Sequence, residues 1–517
     1  MSERTFRNIA DLVREHAAAR PHQPALVQGG RQLSFAELDA MMDRVAAALQ
    51  RDGMRAGDVI ALCGSTTPQQ AAIFLGGARA GALVAPLAPS VTAATFSSML
   101  QDADARLLFV DAQAAALVPR DWQSRCIALD SAAPGRPLDD WLVAPGIVPA
   151  PIVVKPESPF NLIYSSGTTG TPKGIVQPHG MRWLHTLRGL PYGYGPDAVT
   201  VLATPLYSNT TLVAFFPALG LGGTVVLIGK FDAANYLSLA ERHRATHTML
   251  VPVQYQRIMA LADFGRHDLS SFRMKFCTSA PFSAALKADV LARWPGGLVE
   301  FYGMTEGGGT FILEAHRHPD KLHTVGRPAE GHDMRLIDDR GQEVAVGEAG
   351  EVVGHSPTMM IGYYKRPQQT REAEWYAPDG KRFIRTGDIG RFDDDGFLTL
   401  LDRKKDMIIS GGFNIYACDL EAKLREHDAV ADVAVIGVPS SQWGESPVAF
   451  VVQRAGHEIS GVDLREWINA RVGKTQRLAD LICVQELPRN ALGKILKREL
   501  RARYRSEFVS VVTGSVN

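Results

Sequence analysis

Residues Tyr164 to Gly174 read YSSGTTGTPKG, and the reading of this stretch decides the fold. Its eleven residues hold five Ser/Thr hydroxyls, three glycines and one lysine. Glycines let a backbone come close to bulky anionic oxygens and turn its N–H groups inward. Ser165, Ser166, Thr168, Thr169 and Thr171 add donors around Gly167 and Gly170, and Lys173 adds a point charge suited to phosphate. A flexible surface linker could share this composition. Here, however, apolar strand-like residues flank the loop closely, Leu162 to Tyr164 before it and Ile175 with Val176 after it. The stretch predicts a loop that holds a polyphosphate.

It is not a Walker A loop, whose G-x-x-x-x-G-K-[ST] pattern runs into a helix and sets its last hydroxyl on magnesium. Lys173 is followed by Gly174 and then by β-branched Ile175 and Val176, which favour a strand. A strand–loop–strand clamp points away from P-loop kinases and GTPases.

Four further segments carry chemistry. Glu300 to Glu306 read EFYGMTE. Tyr302 and Gly303 suit a flat base resting on a ring beside open backbone, and Thr305 is a donor. Glu306 could hold magnesium, a hard cation that often takes only one or two carboxylates. A solvated turn is the plain alternative for that run. Arg385-Thr386-Gly387-Asp388 offers a carboxylate able to accept two hydrogen bonds from a ribose diol. Arg403 lies in LDRKKDMIISGGFN, and Lys494 follows Gly493 in PRNALGKILKREL. Surface ion pairs and solvated charges are the plain readings of these last three.

Taken in order, the segments resemble the acyl-adenylate-forming superfamily of acyl-CoA synthetases, peptide-synthetase adenylation domains and beetle luciferases. SSGTTGTPKG resembles its signature loop, EFYGMTE its second nucleotide segment, and RTGD its TGD segment. Thr278-Ser279-Ala280-Pro281 is similar to its GGAP segment beside the adenine, with the usual first glycines replaced. The resemblance implies ATP contacts from Ser165 to Thr171, Lys173, Ser279, Ala280, Pro281, Glu300, Phe301, Tyr302, Gly303, Met304, Thr305, Asp388, Arg403 and Lys494. It implies Thr305, Glu306 and Lys494 as catalytic, Glu306 and Thr168 at Mg2+, Lys405 as a hinge, and Gly411, Gly412 and Phe413 near the thiol of coenzyme A.

Composition fits. A chain of 517 residues allows about three or four structural units. Lys plus Arg balances Asp plus Glu at 55 each, so no global field favours nucleic acid or anionic membrane. Five cysteines without CxxC spacing imply neither a disulfide framework nor a zinc site, which fits a reducing cytoplasm. The charged N-terminal stretch lacks the apolar segment of a signal peptide, and the chain ends Gly514-Ser515-Val516-Asn517, unlike a peroxisomal address. Ala71 to Ala88 and Leu212 to Gly229 are apolar, but Arg79 and Gly81 in one and Pro217, Gly222 and Gly223 in the other make each a buried helix turning into a buried strand.

Helix and strand signals alternate through two regions, before and after a proline-rich connector from Trp141 to Pro159. Ser34 and Glu37 have capping-box spacing. Short β-like pieces follow Lys321, and a separate α/β pattern follows Asp406. Pattern and resemblance together predict an α/β fold. The large N-terminal domain (1–404) would hold two α/β subdomains and a small β-barrel-like subdomain, and the small mobile α+β C-terminal domain would span 405–517.

The implied reaction has two steps. A carboxylate attacks the α-phosphorus of magnesium ATP, giving an acyl-adenylate and pyrophosphate; coenzyme A then attacks the acyl carbon and AMP leaves. By resemblance the acyl pocket is lined by Tyr207, Ser208, Leu212 and Phe215, near Ser279, and by Gly307, Gly308, Gly309 and Phe311. Ser208 stands where many acid–CoA ligases carry a histidine. No arginine or lysine occurs among these positions, which favours a neutral acyl body over a dicarboxylate, and the glycines leave room for a ring or long chain. The expected substrates are fatty, alicyclic or aromatic monocarboxylates, turned over by a monomer or homodimer. Rival readings are an enzyme that loads a carrier protein and a non-catalytic nucleotide sensor, the latter at odds with Glu306 and Lys494 both being present.

Overall fold

The computed structural model describes residues 5–165, 173–410, 413–440, 443–457, 459–490 and 493–509. Local rules set its first elements. The capping box forms: Ser34 Oγ accepts from the Glu37 N–H at 3.3 Å, and the Glu37 carboxylate accepts from the Ser34 N–H at 2.7 Å. Helix Phe35–Arg51 starts there. Strands Val59–Cys63 and Leu83–Leu87 are buried at every position and pair in parallel, which is why their sequences are apolar runs without alternation. Between them Thr67 caps helix Pro68–Arg79, with Pro68 in its first turn, where a missing N–H costs nothing. The two long apolar stretches resolve as expected, the second into helix Asn209–Gly220 and strand Thr224–Leu227. Among the described residues no helix is long and apolar enough to cross a membrane.

The chain divides into two compact units, Met1–Met334 with Gly354–Ile384, and Arg335–Val353 with Arg385–Asn517. The first unit holds two large sheets. An eight-stranded sheet runs Gly362–Tyr363, Lys173–Pro178, Pro159–Ser165, Leu83–Leu87, Val59–Cys63, Ala105–Val110, Cys126–Ala128 and Arg136–Pro137. A nine-stranded sheet is parallel through its centre, from Thr224–Leu227 by way of Val199–Leu202, His247–Leu250 and Met274–Cys277 to Gly297–Gly303. It then turns antiparallel with Thr310–Glu314. One core joins both sheets to the helices Phe35–Arg51, Pro68–Arg79 and Asn209–Gly220; it includes Ile60 and Val84 of one sheet and Val225 and Phe276 of the other. Parallel sheets place ligands beyond the carboxyl ends of their strands. In the nine-stranded sheet those ends lead into Ser279 and Thr305.

The second unit contains a five-stranded sheet: Phe413–Ile415, Ile408–Ser410, Gly444–Gln453 and Val430–Ser440 in order, with Asp480–Val484 parallel to Gly444–Gln453. Helices Ala417–Arg425 and Gly461–Asn469 cover one face, and Lys497–Tyr504 the other. The short strands expected after residue 321 are Asp333–Ile337, Gly350–His355, Glu374–Tyr376, Arg382–Phe392 and Leu398–Arg403, which form a small sheet.

Candidate active site

The loop at 166–172 is bounded by two antiparallel strands, with Ser165 opposite Lys173 in the ladder. Ser166, Gly167, Thr168, Thr169, Gly170 and Thr171 lie outside the described residues. Lys173 Nζ sits 5.0 Å from the centroid of the Tyr363 ring. The Tyr363 hydroxyl donates to Glu306 Oε1 at 2.9 Å. One tyrosine thus links the loop lysine to the predicted metal carboxylate. Tyr363 is fixed by pairing with Ile175 and by its N–H donating to Thr370 Oγ1 at 2.9 Å. Burial, then the charge of Glu306, raises its pKa, so the hydroxyl stays a donor.

The backbone around Glu306 is clamped as well. Gln177 Nε2 donates to the Thr305 carbonyl at 2.7 Å, Met360 N–H to the Glu306 carbonyl at 2.8 Å, and Ser356 Oγ to the Gly307 carbonyl at 2.6 Å. Gln177 belongs to a buried network in which Asn161 Nδ2 donates to its Oε1 at 3.0 Å and Arg182 bonds both residues. In a low dielectric such a satisfied network is rigid.

Alternation along Gly297–Gly303 sends neighbouring side chains to opposite faces. Glu300 points into a buried ion pair with Lys287 at 2.5 Å, and Lys287 also donates to the carbonyls of Leu322 and Thr324. Tyr302 faces Phe311, its cross-strand partner, with ring centroids 5.8 Å apart. Phe301 lies on the other face, stacked on Phe276 at 5.5 Å. Met304 packs against Ile175, Met360 and Ile384.

Two expectations for the acyl pocket are corrected. The glycines do not leave room where their side chains would point: a Cβ on Gly308 would lie 2.6 Å from Ile384 Cβ, and one on Gly309 would strike Met334 Sδ. Gly307 and Gly309 also have φ of +74° and +102°. They are glycines because the chain packs and turns there. Leu212 and Phe215 are fully buried core side chains and present no wall to a ligand. Outside the positions taken for the pocket, Arg188, at the end of helix His179–Arg188, lies 5.9 Å from the Phe301 ring centroid.

Tyr207 is half-buried. Ser208, in the place of the usual histidine, caps helix Asn209–Gly220 by accepting from the Thr210 N–H at 3.2 Å. Ser279 has φ of +81°, a conformation glycine adopts freely and which costs another residue about 1–2 kcal/mol. Its hydroxyl bonds Thr210 Oγ1 at 2.5 Å, which holds the turn. Ala280 follows half-buried and Pro281 exposed.

In the second unit, Asp388 and Arg403 face each other across a two-stranded ladder with Arg403 Nε 3.0 Å from Asp388 Oδ1. Arg385 pairs with Glu351, and Lys404 with both Glu351 (3.1 Å) and Asp339 (2.8 Å). Lys494 belongs to the same cluster. Its N–H donates to Asn490 Oδ1 at 2.9 Å, after a turn at Gly493 with φ of +79°. Burial first, and then Arg403, lowers its pKa to about 8, against the opposing pull of Asp388. Burial likewise lowers that of Lys405. Phe413 opens the strand Phe413–Ile415, and Gly411 and Gly412 lie outside the described residues.

Residues 13–364 match the model of the AMP-binding enzyme family, and 419–494 that of the AMP-binding enzyme C-terminal domain. The chain belongs to the AMP-binding enzyme family. It is 34% identical to a feruloyl-CoA synthase of an Amycolatopsis species over 94% of this chain and 97% of that one. It is 31% identical to the indoleacetate–CoA ligase of Aromatoleum aromaticum, over 95% and 97%. ATP-bound MatB from Rhodopseudomonas palustris superposes with a TM-score of 0.87 at 28% identity, over 97% of this chain and 99% of that one. By class the protein is an AMP-forming acyl-CoA synthetase of the acyl-adenylate-forming superfamily.

Proposed function

We propose that this enzyme converts a fatty, alicyclic or aromatic monocarboxylic acid to its coenzyme A thioester through an acyl-adenylate. The observation that carries the reading is Lys494, a lysine sheltered enough for its pKa to fall to about 8 beside Asp388 and Arg403. Such a cation, desolvated in advance, stabilises charge gathering on the carboxylate and α-phosphate oxygens more than a solvated one would. Asp388 would accept from the ribose hydroxyls, Arg403 would contact the nucleotide, and the loop ending at Lys173 would hold the phosphates. Tyr302 and the turn at Ser279 to Pro281 would flank the adenine.

Magnesium fits the donors present: one carboxylate, Glu306, set by Tyr363, which is the protein share this cation takes when substrate phosphates supply the rest. Glu306, with Thr168, would hold it, and it would supply charge neutralisation of the triphosphate. Thr305, its carbonyl anchored by Gln177, would place its hydroxyl toward the α-phosphate or substrate carboxylate. A turn about Lys405, with residues 405–517 as the moving body, would then exchange Lys494 for Gly411, Gly412 and Phe413 beside the thiol. The reading places the enzyme in the cytoplasm, where ATP and coenzyme A are available.

Carboxylate-dependent ATP–pyrophosphate exchange tests the first step. Release of AMP with thioester on adding free coenzyme A tests the second; exchange without thioester would assign a carrier-protein acceptor instead.

A further inference from the structure

Among the described residues, Arg188 is a cation without an anionic partner. No carboxylate or hydrogen-bond acceptor meets its guanidinium among the described residues, and Glu314 nearby is paired with Arg317 at 2.9 Å. Its guanidinium lies 5.9 Å from the Phe301 ring centroid, with Tyr192, His185 and His332 close enough for charge on either side to be felt. Arg182, nearly two turns earlier, by contrast donates to Asn161 and Gln177.

The two histidines beside Arg188 present donors too. The Thr310 N–H donates to His332 Nδ1 at 2.9 Å, which leaves the His332 proton on Nε2. Arg182 Nη1 faces His185 Nδ1 at 3.4 Å and can only donate, which puts that proton on Nε2 as well. Desolvation, then neighbouring cations, lowers the pKa values of His185 and His332, so both rings are neutral at pH 7. Arg188, His185, His332, Phe301, Thr310 and Ile312 nevertheless keep some water-accessible surface. These partly exposed residues meet where helix His179–Arg188 faces the strands of Phe301 and Thr310.

We infer that Arg188 is a specificity-determining residue that binds a distal oxygen acceptor on the acid substrate. The inference rests on the acid-activating reading above. Donors gathered on one partly accessible face want an acceptor, and an unpaired guanidinium left facing apolar substrate would stay uncompensated. Four residues separate Phe301 from Thr305, at most about 13 Å at ~3.3 Å per residue. That span can accommodate an arylpropenoic acid with its carboxylate at Thr305 and a ring oxygen at Arg188.

The test compares 3-phenylpropenoic acid with its 4-hydroxy and 4-carboxy derivatives in ATP–pyrophosphate exchange, for wild type, Arg188→Met and Arg188→Lys. Because each ratio is taken within one preparation, the folded fraction cancels. Wild type should favour an oxygenated acid by about 10–100-fold in kcat/KM, the range of one charge-assisted hydrogen bond. The ratio should collapse toward one in Arg188→Met, mainly through KM, and survive in part in Arg188→Lys. The faster of the two oxygenated acids identifies the phenolic or the carboxylate source. Equal rates for all three acids in wild type, or a preference kept by Arg188→Met, overturn the inference and leave the acid-activating reading standing. No exchange with any of them overturns the inference, and only if fatty and alicyclic acids also give no exchange does the acid-activating reading fall with it.

Discussion

Tyr363→Phe isolates one atom of the site. The ring stays under Lys173 Nζ, at 5.0 Å, while the hydroxyl that donates to Glu306 at 2.9 Å is lost. A hydrogen bond to a charged acceptor contributes about 1.5–3 kcal/mol. The site is partly screened by solvent, so the lower half of that range applies. At ~1.4 kcal/mol per tenfold, adenylation should slow about tenfold. The loss should be larger at limiting Mg2+, because the carboxylate that would hold the cation is no longer oriented. Tyr363→Ala should cost more, since the cation–π contact with Lys173 goes as well, about 0.5–2 kcal/mol. The assay is ATP–pyrophosphate exchange over a magnesium titration at saturating acid. Less than a twofold change in Tyr363→Phe at every magnesium concentration would refute the claim that Tyr363 positions Glu306.

Three further outcomes are expected. Lys494 is cationic below its pKa of about 8 and neutral above it, so kcat/KM for adenylation should fall as pH rises through about 8. Lys494→Arg should carry that limb to higher pH, and Lys494→Ala should lose about 10²–10³ in adenylation, read by exchange. Ser279→Gly relieves a φ of +81° while giving up the bond to Thr210, so its denaturation midpoint should barely move. Ser279→Ala keeps the strain and loses the bond, and should cost about 1 kcal/mol in urea titration. Lys287→Ala strands Glu300 in the core and should destabilise by about 3–5 kcal/mol, a loss that adding Glu300→Gln partly restores.

Much of this was legible in the sequence because its signals are local. The Ser34 and Glu37 spacing gave the capping box, the unalternating run Val59–Cys63 gave a strand buried on both faces, and β-branched Ile175 and Val176 gave the strand after the phosphate loop. What stayed hidden is non-local. Tyr363 reaches Glu306 only because a two-residue strand pairs with Ile175 and Val176, and nothing near it in sequence marks that pairing. The Asn161, Gln177 and Arg182 network did leave a trace, polar residues at positions a buried strand would fill with apolar ones. Gly307 to Gly309 were read as open space because composition cannot tell a void from a close approach; the neighbours Ile384 and Met334 decide it. Arg188 escaped notice for the same reason, since its helix does not announce which strand it faces.

The most direct measurement is the fate of ATP. Phosphorus NMR of a reaction with an active carboxylic acid and coenzyme A should show AMP and pyrophosphate in equal amounts, matched by thioester. ADP with orthophosphate, or AMP formed at the same rate by Lys494→Ala, would contradict attack of a carboxylate at the α-phosphorus.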